Sequence, residues 1–214
     1  MYIPRTNRED RPDVLFDFIE AHSLGALVTA DASGEPFATH LPLVVRRGQG
    51  PHGTLEGHLA RANPHLRHMA GADPRALVIF TGPQAYVTPS WYPGKATHGR
   101  EVPTWNYVAV HAYATVRLVE DPGWLHRHLD ELSARHEAHR PDPWTPSDAP
   151  ADYVAQLLRG IVGIELAIEG LEGKWKMSQN RTSADIDGVV AGLGASERAE
   201  DREVARIVEQ RRPH

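Results

Sequence analysis

Three segments of this chain carry residue types suited to a flat, anionic ligand. The first joins Trp91-Tyr92-Pro93-Gly94-Lys95 to Val102-Pro103-Thr104-Trp105-Asn106-Tyr107. Ordered aromatic side chains in a Pro/Gly-punctuated connection need something to pack on, and either a planar ligand or a partner subunit would serve. The second is His58-Leu59-Ala60-Arg61-Ala62-Asn63-Pro64. It sits where a strand should end and a helix begin, so free N–H groups and the positive end of the helix dipole would face an anion. Arg61 adds a planar fork that matches phosphate. Taken alone, the segment reads first as an ordinary capped helix with a surface arginine. The third, Lys174-Trp175-Lys176-Met177-Ser178-Gln179-Asn180-Arg181, gathers cations and neutral hydrogen-bonding groups around one tryptophan. That composition suits a phosphate or the edge of a heteroaromatic ring, with a solvated turn as the plain alternative.

Other chemistries fall away. With no cysteine, disulfides, thiolate metal sites and thiol nucleophiles are excluded. The chain has 13 histidines, but none forms HExxH, and His126, His128, His136 and His139 lack the i, i+4 spacing of a helical metal pair. They read as surface or packing residues. A single axial histidine, His40 or His58, keeps haem open as an alternative cofactor. Gly192-Leu193-Gly194 lacks the third glycine of a dinucleotide fingerprint, and no GxxxxGK loop is present, so side chains must hold any phosphate. No GxSxG elbow and no paired carboxylates mark a hydrolase, and no catalytic acid or base stands out. A net charge of -5 argues against a nucleic-acid backbone as the main partner. No apolar run reaches the ~20 residues of a membrane span, and the N-terminus shows no signal-peptide core, so the expectation is a cytoplasmic protein with no membrane partner.

The elements that must position these residues follow from local pattern. Thr6-Asn7-Arg8-Glu9 fits a capping box before the helical spacing of Val14, Leu15, Phe18 and Ile19. Strands are expected at Leu24 to Ala30, Glu35 to Arg46 and Thr54 to Leu59, joined by short turns and therefore antiparallel. Asn63-Pro64 starts a short helix. Ala76 to Phe80, with Ala85 to Thr88 as a continuation, and Tyr107 to Glu120 read as further strands. Asp121-Pro122 opens a helix, Arg140 to Pro150 is a connector, and a short helix near Tyr153 to Arg159 precedes a strand from Ile161 to Glu169. A charged helix ends the chain. Many strands with few crossovers imply a mainly β fold, an antiparallel barrel with peripheral α-helices.

Taken together and in order, Met1-Tyr2-Ile3-Pro4, the His58–Pro64 segment, Tyr86-Val87-Thr88-Pro89-Ser90-Trp91-Tyr92-Pro93, Val102–Tyr107 and Lys174–Arg181 resemble the PaiB-type FMN-binding negative transcriptional regulators. The resemblance runs from Met1 to about Gly194. It implies a split β-barrel related to the pyridoxamine-phosphate-oxidase barrels, over residues 1–194, with 195–214 as a charged C-terminal helix or tail. It also implies a homodimer with FMN between subunits. By position, Thr39 and His40 would line the flavin and Arg61 would meet its phosphate, assisted by Lys174 or Lys176. His58 and Asn63 would fix the strand–helix junction or donate to phosphate. Trp105 and Asn106 would approach the ring from the partner, with Ser178, Gln179 and Asn180 at its polar edge and Lys95 at phosphate or a second substrate. The oxidases' arginine and lysine are not reproduced near Thr39, which sets pyridoxamine phosphate aside. The function expected is a flavin-dependent oxidoreductase with NAD(P)H as candidate reductant. The alternative is a small-molecule-responsive regulator whose DNA contact the acidic chain does little to support.

Overall fold

The computed structural model describes residues 1–69 and 74–213. The chain opens on a tight turn, Arg5–Asn7, and a two-residue strand, β1 (Arg8–Glu9), before helix α1 (Pro12–Ala21). The capping box expected at Thr6 is not used. The Glu9 carboxylate instead accepts the N–H of Arg11 at 3.0 Å and its Nε at 2.9 Å. The helix starts at Pro12, where a missing N–H leaves no bond unmade.

Strands β2 (Leu24–Ala30) and β3 (Pro36–Pro42) form a hairpin in register from Leu24↔Pro42 to Ala30↔Pro36. Asp31 Oδ1 accepts the N–H groups of Ser33 (2.8 Å) and Glu35 (3.0 Å), and Gly34 takes the φ of +86° that closes the turn. The single strand expected from Glu35 to Arg46 breaks at Leu43, and β4 (Val44–Arg46) resumes it against β5 (Thr54–Ala60). Leu43 is fully buried over two glycines: a Cβ on Gly25 or Gly57 would lie 3.1 Å or 2.8 Å from its methyl carbons. The chain changes partner strands around this anchor.

Helix α2 (His65–His68) is a single turn. Strand β6 (Arg75–Val87) is continuous, where two runs were expected. Its register with β2 ends at Ile79, so Pro83 lies where β2 asks for no N–H. A tight turn at Pro89–Trp91 and α3 (Gly94–His98) occupy the aromatic connection before β7 (Thr104–Val119). Asp121 caps α4 (Pro122–Glu137) by accepting the Trp124 N–H at 2.7 Å. Helix α5 (Ala151–Arg159) leads into β8 (Ile161–Lys176), which outruns the expected strand because its last residues pair with β1 through Arg8↔Lys174. Helices α6 (Ser183–Gly194) and α7 (Ala199–Gln210) follow.

These elements form two compact units. One holds Met1–Phe18, Thr81–His111 and Glu172–His214, and the other holds Ile19–Phe80 and Ala112–Leu171. The sheet order is β3-β2-β6-β7-β8-β5-β4, with β1 on β8, and every register recorded is antiparallel. The second unit is centred on Leu27, Leu43, Leu55, Val78, Ile164 and Leu166, all fully buried. In the first, α7 packs on α6, with Val189, Leu193, Val204 and Val208 buried. Trp91 finds its packing partner there too. Its backbone and indole lie against Gly188 and Gly192, where an added Cβ would come to 2.2 Å from the indole at Gly192 and nearer still to the backbone oxygen at Gly188.

Gly188→Ala should therefore destabilise the protein by about 1–3 kcal/mol, since backbone cannot yield as a flexible side chain does. Gly194→Ala, with nothing within 4 Å of its new Cβ, should be neutral or mildly stabilising. Urea denaturation of the two variants checks the contrast.

Candidate functional site

In the first unit the end of β8 presents two lysines two residues apart, which places both side chains on one face of the strand. Among the described residues, every partner of their ammonium groups is neutral. Lys174 Nζ donates to the Tyr2 carbonyl at 3.0 Å and lies 5.8 Å and 5.1 Å from the Tyr2 and Tyr107 ring centres. Lys176 Nζ donates to Thr104 Oγ1 at 2.5 Å and to the Trp105 carbonyl at 2.6 Å. Burial, reinforced by the charges of Lys174 and Arg181, holds the Lys176 pKa below its usual value. A cation so placed gains from a nearby anion. Arg181 is already committed, to Glu101 at 2.7 Å and to the face of Tyr92.

The turn after β8 is held from within. Ser178 takes a φ of +63°, rare for a residue with a side chain, and exchanges hydrogen bonds with fully buried Asn106 at 3.0 Å and 3.3 Å. Gln179 folds back, accepting the Met177 N–H at 2.7 Å and donating to the Trp175 carbonyl at 2.5 Å. Asn180 is exposed. Trp105 is 46% exposed, meets half-exposed Tyr86 edge-on at 6.1 Å, and donates its Nε1 to Gln84 at 3.1 Å. Lys95, also exposed, donates to Ser90 Oγ at 2.9 Å beside an open depression of about 490 Å³ walled by Trp91 and Tyr92.

The second unit holds the other expected residues in three groups. Thr39 and Asn63 meet at 3.3 Å around His65, while His40, on the opposite face of β3, is exposed. Arg61 is occupied: it pairs with Glu120 at 2.5 Å and donates to the carbonyls of Arg159 and Ile161. His58 turns its Nδ1 to His128 Nε2 at 3.2 Å. His128 is fully buried, stacks on Trp124 at 5.1 Å, and burial together with the neighbouring His58 presses its pKa down to about 4. Trp124 in turn donates to Glu165 at 2.8 Å and lies over Gly163, the one residue type that leaves it room. Buried Glu56 receives Arg46 at 2.8 Å and Arg127 at 3.1 Å. Burial raises its pKa, but the two guanidinium groups outweigh that and leave it lowered.

Sequence reasoning missed His65, Thr29, Thr104 and Trp124. His65 lay one residue past Pro64, and Thr104 lay inside the Val102–Tyr107 segment without being singled out. Thr29 enters through strand register and Trp124 through the packing of α4 on β8, neither of which local spacing encodes. Among the described residues no three metal-binding side chains gather and no helix is long and apolar enough to cross a membrane.

The strand order and flanking helices define a split-barrel protein. Among solved structures the fold is shared with the FAD and heme binding protein from Mycobacterium smegmatis (TM-score 0.58, 18% identity, 85% of this chain and 79% of that one). It is also shared with the conserved hypothetical protein Rv2991 from Mycobacterium tuberculosis (TM-score 0.57, 15% identity, 85% and 94%). In sequence, the chain is 33% identical over 212 residues to "Protease synthase and sporulation protein PAI 2" of Bacillus subtilis, covering 99% of this chain and 98% of that protein. Residues 1–170 match the FMN_bind_2 family, "Putative FMN-binding domain". The chain belongs to this family of FMN-binding domains.

The His128 geometry has a measurable consequence. Its folded pKa of about 4 lies below the ordinary 6.5, so the unfolded chain takes up the proton first. Stability is whole above about pH 6.5 and is lost as pH falls toward 4, by roughly 3 kcal/mol from this group. Chemical denaturation across that window should show the slope, and His128→Gln should flatten it.

Proposed function

We propose that the chain is a homodimeric, cytoplasmic, FMN-dependent oxidoreductase in which Lys174 and Lys176 hold the anionic tail of the flavin. The observation that carries this reading is the pair of ammonium groups on one strand face whose partners are all neutral. A dianionic phosphate is the group such a pair lacks, and charge-assisted hydrogen bonds to it are strong. The exposed Trp105 and Tyr86 rings beside that strand end supply a flat apolar surface of the kind a tricyclic ring or a second subunit covers. Family membership supports the choice of FMN.

Within this reading, Ser178, Gln179 and Asn106 shape the turn that follows Lys176, and exposed Asn180 is the one left to reach a ring edge. Lys95 is assigned to a second substrate, with NAD(P)H as reductant. Arg61 is already matched by Glu120, so the anion is assigned to the lysines ahead of it. When bound, FMN supplies electron and hydride transfer, while the chain supplies binding and orientation. The resemblance to negative transcriptional regulators favours a second reading, with the flavin as effector and no turnover.

Titration of the purified protein with FMN and riboflavin separates the possibilities. Lys176→Met should weaken FMN by at least about tenfold, from the roughly 1.5–3 kcal/mol of a charged hydrogen bond, and leave riboflavin unaffected. A loss confined to Arg61→Ala would move the anion to the His58–Pro64 segment. Bleaching of the flavin spectrum by NAD(P)H supports the enzyme, its absence supports the effector, and a Soret band would point to haem.

A further inference from the structure

Inside the second unit, two threonine hydroxyls are joined through one imidazole. His65 is fully buried, with Nε2 2.9 Å from Thr29 Oγ1 and Nδ1 2.8 Å from Thr39 Oγ1. Asn63 fixes one end of the chain. Its Oδ1 accepts the His65 backbone N–H at 2.9 Å, so its amide nitrogen faces the other way, 3.3 Å from Thr39 Oγ1. An amide nitrogen can only donate, so the Thr39 oxygen already accepts once.

The proton count decides the rest. Burial and the nearby His68 lower the His65 pKa, which leaves a neutral ring with one N–H. Were that proton on Nε2, it would point at Thr29, and the Thr29 hydroxyl proton would need another acceptor. Thr29 is 4% exposed and has no second polar partner among the described residues, so that arrangement strands a buried donor. With the proton on Nδ1 every buried group is matched. Thr29 donates to Nε2, Nδ1–H donates to Thr39, and the Thr39 oxygen then receives two donors. Its own proton is left over, on a half-buried residue of the edge strand β3.

We infer that His65 is a positioning residue that commits the Thr39 hydroxyl to donate outward, to an acceptor oxygen of a bound ligand, either a phosphate or a ring carbonyl. The ligand's identity rests on the flavin reading above. The proton order does not.

Long-range proton–nitrogen NMR on labelled, ligand-free protein reads the His65 tautomer directly. Nδ1–H is expected, and Nε2–H overturns the inference. Thr39→Val, which keeps shape and removes the donor, should weaken FMN by about threefold to tenfold, and Thr39→Ser should restore it. Loss of FMN affinity with riboflavin unaffected assigns the donor to phosphate, and equal loss for both assigns it to a ring carbonyl. Unchanged affinity in Thr39→Val overturns the ligand contact. If the wild-type protein binds neither flavin, the flavin reading fails, and inorganic phosphate becomes the probe. A phosphate-induced shift of the Thr39 resonances, absent in Thr39→Val, then upholds the donor, and no shift overturns it.

Discussion

Two like charges held close on one strand face raise each other's energy, and that repulsion at Lys174 and Lys176 is the constraint on which the rest of the site turns. Among the described residues no carboxylate relieves it. The chain spreads the charge over carbonyl oxygens, a hydroxyl and two tyrosine rings, which solvate a cation without neutralising it. Other cations of the same unit are paired: Arg11 and Arg211 meet Glu9, whose pKa falls to about 2, and Arg181 meets Glu101. What sets the lysine pair apart is that the two cations share one strand face and one is held in a half-buried place by neutral groups.

The second unit solves a different problem, the burial of neutral polar rings. A buried imidazole is tolerable only when each nitrogen meets a group of the opposite sense. His65 meets that condition at both nitrogens. His128 meets it at one, through His58, and among the described residues its Nδ1 is buried without a partner. The same residue type thus yields a rigid proton order in one place and an acid-sensitive weak point in the other. The difference lies in what the neighbouring strands bring within reach.

Much of the fold was legible. The hairpin at Asp31–Gly34, the Asp121-Pro122 helix start and the alternation along β7 are local signals, because turn chemistry, capping and strand period depend on residues a few positions apart. The errors share a cause. The break at Leu43 depends on two distant glycines that leave room for one side chain, and the capping box at Thr6 lost its Glu9 to Arg11 and Arg211. Of the candidate site, the residue types of the Lys174–Asn180 segment were visible, and so was their bias toward an anion. What each one touches was not.

The sequence by itself determined the family, the antiparallel period of the strands and the absence of thiol chemistry, since each follows from residue identity or short-range order. Only the tertiary structure decided which cations keep a counter-charge, sending Arg61 to Glu120 and leaving the two lysines with neutral partners. It also placed His65 between Thr29 and Thr39, 36 and 26 positions away in the chain. Charge pairing and proton order act over a few ångströms, and strand register, not spacing along the chain, decides what lies within them.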